Sequence, residues 1–124
     1  MGNPRIPAAY IIAAAFVAAG FAHFAWPQVF ERIVPPFFPQ KRLLVQASGS
    51  LEILGGLGAA FPPSRRFAGY GLVALLIAVF PANVYMAVDA QRFAGIPVWV
   101  LYARLPLQFV LIWWVYTTLS SQPR

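Results

Sequence analysis

Four apolar runs constrain this chain more than any other feature. They cover residues 7–24, 44–61, 67–88 and 98–119. Each is about 18 to 22 residues, where a helix that crosses a bilayer needs roughly 20. The breaks at Pro62–Arg66 and Asp89–Pro97 are short, so successive helices are expected to be antiparallel neighbours in one bundle. The expected fold class is an all-α membrane protein, an antiparallel four-transmembrane-helix bundle forming a single domain over residues 1–124. Charged residues make up only 10% of the chain against 60% apolar, well below the roughly 25% that a soluble surface carries. Soluble enzyme folds and zinc modules are disfavoured on that count.

The net charge of +6 would suggest nucleic acid in a soluble chain. Here the basic residues sit mostly between the apolar runs, where they meet lipid headgroups, so membrane lipids are the expected partners and nucleic acid is not. With no cysteine the chain forms no disulfide and no thiolate metal site. One histidine and few acids make a poor set of metal ligands, and no covalently bound cofactor is expected.

The first run has Pro7 at its start and Ala14, Ala18 and Ala22 spaced four apart, a small-residue stripe on which another helix could pack. Arg5 and the run that follows also resemble a signal peptide, with Gly20-Phe21-Ala22 as a possible cleavage site. Its loss would strand an odd number of spans, so it is expected to stay.

The loop from Trp26 to Arg42 reads WPQVFERIVPPFFPQKR, too polar and proline-rich to cross. Trp26, Val29, Phe30 and Ile33 recur at helical spacing, and Gln28, Glu31 and Arg32 take the other side. This predicts a short interfacial helix within residues 27–35, stopped by Pro35-Pro36. It is either a simple anchor or a lid over a cavity between the helices, with Phe37 or Phe38 pointing inward.

Orientation is balanced. Arg5, Arg65, Arg66 and Arg124 fall on the side of the termini; Arg32, Lys41, Arg42 and Arg92 fall on the other. The short Arg65-Arg66 loop is the more typical cytoplasmic signal, which favours cytoplasmic termini.

Ionisable groups inside a span are expensive and are functional candidates by default. His23, Glu52, Asn83, Arg104 and Gln108 all fall in the half of the bilayer that carries the first loop, with Glu52 roughly 12 Å deep at 1.5 Å per residue. Glu52 and Arg104 have matching depths and opposite charges, so a buried ion pair is expected between them. It either pins two helices in register or lines a polar pocket. Ser48, Glu52, Gly55 and Ala59 share one face of the second helix, a stripe that suits helix packing or leaves room for a ligand. Gly55 to Gly58 is not a phosphate loop, since it lacks the preceding strand and the lysine. Pro81 and Pro106 interrupt the third and fourth helices, freeing carbonyls around Ile77 and Tyr102. His23 could bind a quinone carbonyl or relay a proton, or serve as a plain hydrogen-bonding residue. Trp99 and Tyr102 at one end, and Trp113, Trp114 and Tyr116 at the other, read as aromatic belts.

At these residues the chain resembles the DoxX-like family of small four-helix membrane proteins. The segments are HFAWPQVFERIVPPFFP at 23–39, SGSLEILGGLG at 48–58, FPANVYMA at 80–87 and RLPLQFVLIWWVY at 104–116. The resemblance implies a multi-pass protein of a bacterial or archaeal inner membrane, associated with redox systems such as quinone-linked sulfur oxidation. It makes His23, Glu52, Asn83 and Arg104 the shared polar residues. The absence of cysteine departs from the thiol-redox branch.

Three functions fit. One is a redox-associated protein that holds a quinone or lipid in a half-membrane pocket. Another is a structural accessory subunit of a respiratory or photosynthetic membrane complex. The third is a small proton-coupled exporter built around Glu52, against which a permanent cation beside the carboxylate would count.

Overall fold

The computed structural model describes residues 5–93 and 95–120. Helix α1 spans Arg5–Ala25, α2 Pro27–Glu31, α3 Lys41–Ala60, α4 Arg65–Val88 and α5 Val98–Val115. Short 3-10 segments at Pro62–Ser64 and Ala90–Phe93 lead out of α3 and α4, and a π-helical turn, Tyr116–Ser120, extends α5. Four of these helices are long and apolar enough to cross a membrane, and most of their large apolar side chains are outward and exposed. In water such a surface would aggregate; in lipid it is the solvated face. The chain is a multi-pass membrane protein of all-helical fold.

The α1–α3 contact is the most extensive between helices, and glycine lets it form. A Cβ on Gly20 would meet the Gly49 carbonyl oxygen at 2.6 Å, and one on Gly56 would meet Val17 Cγ2 at 2.7 Å and the Ala13 oxygen at 2.8 Å. Backbones this close gain dispersion along their length, which drives helix association where no hydrophobic effect operates. The face used on α1 is Ala9, Ile12, Ala13 and Gly20, all buried, whereas Ala14 and Ala18 are exposed. Ala14 and Ala18 of the expected small-residue stripe therefore face outward while Ala22 is half-buried, and the glycine of the neighbouring face makes the closer approach. On α3 the glycines divide: Gly49 and Gly56 face α1, while Gly55 lies against Leu72 of α4.

The core is a cluster around Ile12, Ala59, Leu72, Leu76, Val115 and Leu119. A second cluster of Ala87, Phe93 and Leu101 packs Ile33 of the first loop against the ends of α4 and α5. Arg32 lies 5.9 Å from the centre of the Phe93 ring in the same place.

The α3–α4 turn and the end of the last helix beside it have polar stitching. Arg65 donates from Nε to the Ala59 oxygen at 2.7 Å and from Nη2 to the Ala60 oxygen at 3.3 Å, satisfying carbonyls that the end of α3 leaves without helical partners. The same guanidinium lies over the Tyr10 ring of α1 at 5.3 Å. Ser120 Oγ donates to the Arg66 oxygen at 3.0 Å, so the end of the π-turn is fastened to the start of α4.

The first loop holds α2 within the expected window, but the helix ends at Glu31 rather than running to Pro35-Pro36. Three-residue turns follow instead, with Ile33 bonded to Phe30 and Val34 to Glu31. Glu31 pairs with Arg42 Nε, tying the end of α2 to the first turn of α3. The backbone enters α3 through Gln40 in the left-handed region, φ 58°, a conformation that a side chain with a Cβ rarely adopts.

Candidate functional site

Four of the five polar candidates meet around one cavity of about 360 Å³: His23 from α1, Glu52 from α3, Asn83 from α4 and Arg104 from α5. Its remaining walls are largely apolar, among them Phe16, Leu75, Val79 and Trp114. Gln108 is fully buried but lies outside this lining. Its Nε2 donates to the Leu76 carbonyl at 2.6 Å, so it ties α5 to α4. The carbonyl it takes is one residue before Ile77, the position that Pro81 leaves without its usual donor.

The expected ion pair between Glu52 and Arg104 is not formed. Among the described residues, the short contact of Glu52 is to His23, with Nε2 to Oε2 at 3.1 Å, and Ser48 Oγ donates to the same oxygen at 3.3 Å. Matching Cα depths suggested Arg104, but side chains lean towards the N-terminus of their own helix. The His23 ring folds back so that Nδ1 reaches the Ala19 oxygen at 2.7 Å, and Glu52 leans back onto Ser48. Because Gly20 faces Gly49 while Val17 faces Gly56, these two leanings converge.

His23 is fixed from three directions. Ala19 can only accept, so Nδ1 carries a proton and Nε2 points at Glu52. The Phe30 ring of α2 stacks on the imidazole, with centroids 3.8 Å apart and planes 18° from parallel. The glycine at 49 lets the histidine stand this close to α3, since a Cβ there would meet His23 Cβ at 2.8 Å.

The other two members of the site are unfinished. Asn83 is 8% exposed, and its Nδ2 has no hydrogen-bond partner; neither has the buried Nη1 of Arg104. A buried donor without an acceptor costs about 1–3 kcal/mol, so two residues of the cavity lining carry N–H groups with unmet capacity. Gln108 Oε1 is likewise unpartnered, but it belongs to the α4–α5 contact.

A second cavity of about 300 Å³ adjoins the first and shares His23, Phe30, Ile33 and Ser48 with it. It runs between the first loop and the helices, past Val34, Pro35 and Phe38 to the exposed Leu44 and Leu51. The ring expected to point inward from the loop was Phe37 or Phe38. Phe37 is 77% exposed, and Phe38 lines only this outer chamber. Phe30 takes the inner position. The apolar face expected on α2 divides accordingly, with Phe30 and Ile33 inward and Trp26 and Val29 exposed. Phe30 and Ser48 are the site residues that sequence reasoning left unassigned. The signal for Phe30 was its seven-residue spacing from His23 across the break at Trp26.

Fold and site together define a small multi-pass membrane protein with a largely apolar cavity between its helices, at which four polar side chains meet. The chain belongs to the family described as a domain of unknown function, DUF8561, which it matches over residues 12–119. No curated protein and no solved structure matches it.

Proposed function

We propose that this protein binds a lipophilic molecule with a polar head, the head seated among His23, Glu52, Asn83 and Arg104 in one half of an inner membrane. The observation that carries the reading is the pair of unpartnered buried donors, Asn83 Nδ2 and Arg104 Nη1, on two residues that line an otherwise largely apolar cavity. Ligand pockets share that composition, a mostly apolar lining with a few convergent polar groups. A quinone carbonyl is a neutral acceptor that suits such donors, and the resemblance of residues 23–39 and 104–116 to DoxX-like proteins favours a redox-associated role. The bundle is read as antiparallel, supported by the order of the α1–α3 contacts, with cytoplasmic termini. The first loop is read as an interfacial lid, supported by Phe30 on His23. Native mass spectrometry after mild extraction tests the reading. A retained lipid or quinone, with quinone analogues raising thermal stability, is expected. An empty protein indifferent to all of them, or one that copurifies with respiratory subunits and is stable only in their company, favours the accessory-subunit role instead.

One observation favours a second reading, proton-coupled export. Glu52 is held by His23 and Ser48 rather than by a permanent cation, so the objection raised by a Glu52–Arg104 pair does not apply. Uptake into liposomes driven by a pH gradient, abolished in Glu52→Gln, would establish it. Absence of gradient-driven uptake by the wild-type protein would remove it.

A further inference from the structure

The charges around the inner cavity do not cancel. His23 Nδ1 is protonated because its partner, the Ala19 carbonyl, can only accept. Across the 3.1 Å gap between Nε2 and Glu52 Oε2 there must be one proton, since two lone pairs would otherwise face each other. Whichever atom carries that proton, imidazole and carboxyl together sum to zero. Glu52 is thus neutralised by His23 and leaves the charge of Arg104 uncompensated. The chain has three acidic residues in all. Glu31 is engaged by Arg42, Asp89 has interactions of its own, and neither lines the cavity. The residues that line the cavity therefore carry a net positive charge, on the half-buried Arg104, and two donors without acceptors, where an unpaired charge is costly.

We propose that the cavity takes the anionic head of a membrane amphiphile, a carboxylate or phosphate whose oxygens accept from Arg104 and Asn83. This rests on the cavity reading above and narrows it, because a neutral quinone meets the donors and leaves the charge standing. The hydrocarbon chain has a route. The outer chamber shares His23, Phe30 and Ser48 with the inner one and leads to Leu44 and Leu51 on the lipid-facing surface. A head at Arg104 can thus be held while its tail passes beneath the first loop into the bilayer. The same chemistry is available from a fatty acid and from an anionic phospholipid.

The test is native mass spectrometry of the full chain from a neutral detergent, titrated with palmitate, palmitoyl lysophosphatidate, hexadecanol and hexadecyltrimethylammonium. An acid is expected to be retained at a concentration about tenfold or more below that of the alcohol, the difference a charge-assisted hydrogen bond makes, and the ammonium is expected to bind weakest. The tighter of palmitate and lysophosphatidate identifies the source of the anion. Arg104→Lys should keep this order, and Arg104→Met should bring acid and alcohol together. Should Arg104→Met fail to fold, Asn83→Asp carries the test, since it places a carboxylate on the cavity wall that Arg104 shares and should abolish the preference for acids. Equal retention of acid and alcohol by the wild-type protein overturns the anion while leaving an amphiphile site standing. Retention of none of the probes overturns both. A preference for acids that survives in folded Arg104→Met or Asn83→Asp puts the anion on surface cations and overturns the assignment.

Discussion

The Cβ of His23 on α1 lies 2.8 Å from the place where a side chain on Gly49 of α3 would begin. The histidine that lines the cavity stands on bare backbone, and the contact between helices is also the contact that aims the ring. Gly49→Ala must move His23, Phe24 or the Gly20 oxygen, all within about 3 Å of the new methyl group. A loss of about 1–3 kcal/mol is expected, as for overpacking elsewhere, read as a lower midpoint of thermal unfolding in detergent. Gly71→Ala is the control, because nothing lies within 4 Å of its added Cβ; it should be neutral or slightly stabilising.

The partner of Glu52 can be identified by double-mutant cycles. Alanine substitutions at His23 and Glu52 are expected to couple by about 1–2 kcal/mol, towards the upper end for side-chain hydrogen bonds within membranes. The same cycle between Glu52 and Arg104 should give about 0.5 kcal/mol or less. A reversal of that order would restore the ion pair that matching depths suggest.

Gln108 should behave as a clamp between helices and not as a ligand group. Gln108→Met removes the bond to the Leu76 oxygen but also removes the unpartnered Oε1, so a change within about 1 kcal/mol is expected. Gln108→Ala leaves a cavity at a fully buried position and should cost about 2–3 kcal/mol. Neither should alter the concentration at which an amphiphile is retained, and a shift of tenfold would place Gln108 in the site.

Arg65 caps the end of α3. Arg65→Ala loses two hydrogen bonds to the end of α3 and the contact with Tyr10, which should lower stability by about 1–2 kcal/mol. Arg65→Lys should keep the orientation and recover part of that loss. Single cysteines at Pro63 and Phe37, labelled in intact membrane vesicles, should react from opposite faces in both variants and in an otherwise wild-type background. Labelling from the same face would mean that a span has been miscounted.

How far the sequence reaches is clear from individual residues. The four spans were legible because apolar runs of that length have one stable use, and their helix limits shift by at most four residues, α5 ending at Val115 before the π-helical turn. The shared lining of His23, Glu52, Asn83 and Arg104 was legible because topology alone puts them in one half of the bilayer. Their pairing was not. Depth counted along Cα positions omits the lean of each side chain, which carries His23 down and Glu52 up until they touch. Ala14, Ala18 and Ala22 misled for a related reason: small residues permit close approach on any face, and Gly20 permits a closer one. The role of Phe30 was hidden by the break at Trp26, beyond which a helical repeat no longer says where a ring will point.

The four polar groups divide evenly between two hairpins. His23 and Glu52 belong to the pair of helices fused through Gly20, Gly49 and Gly56; Asn83 and Arg104 belong to the pair clamped by Gln108. Anything that touches both sets is a strut between two halves of the molecule. Occupancy would then be felt as stiffness: a ligand at a hundred times its dissociation constant adds about 2.7 kcal/mol to the apparent stability, applied across the seam rather than within either half. Membrane composition would set how firmly the two hairpins are joined.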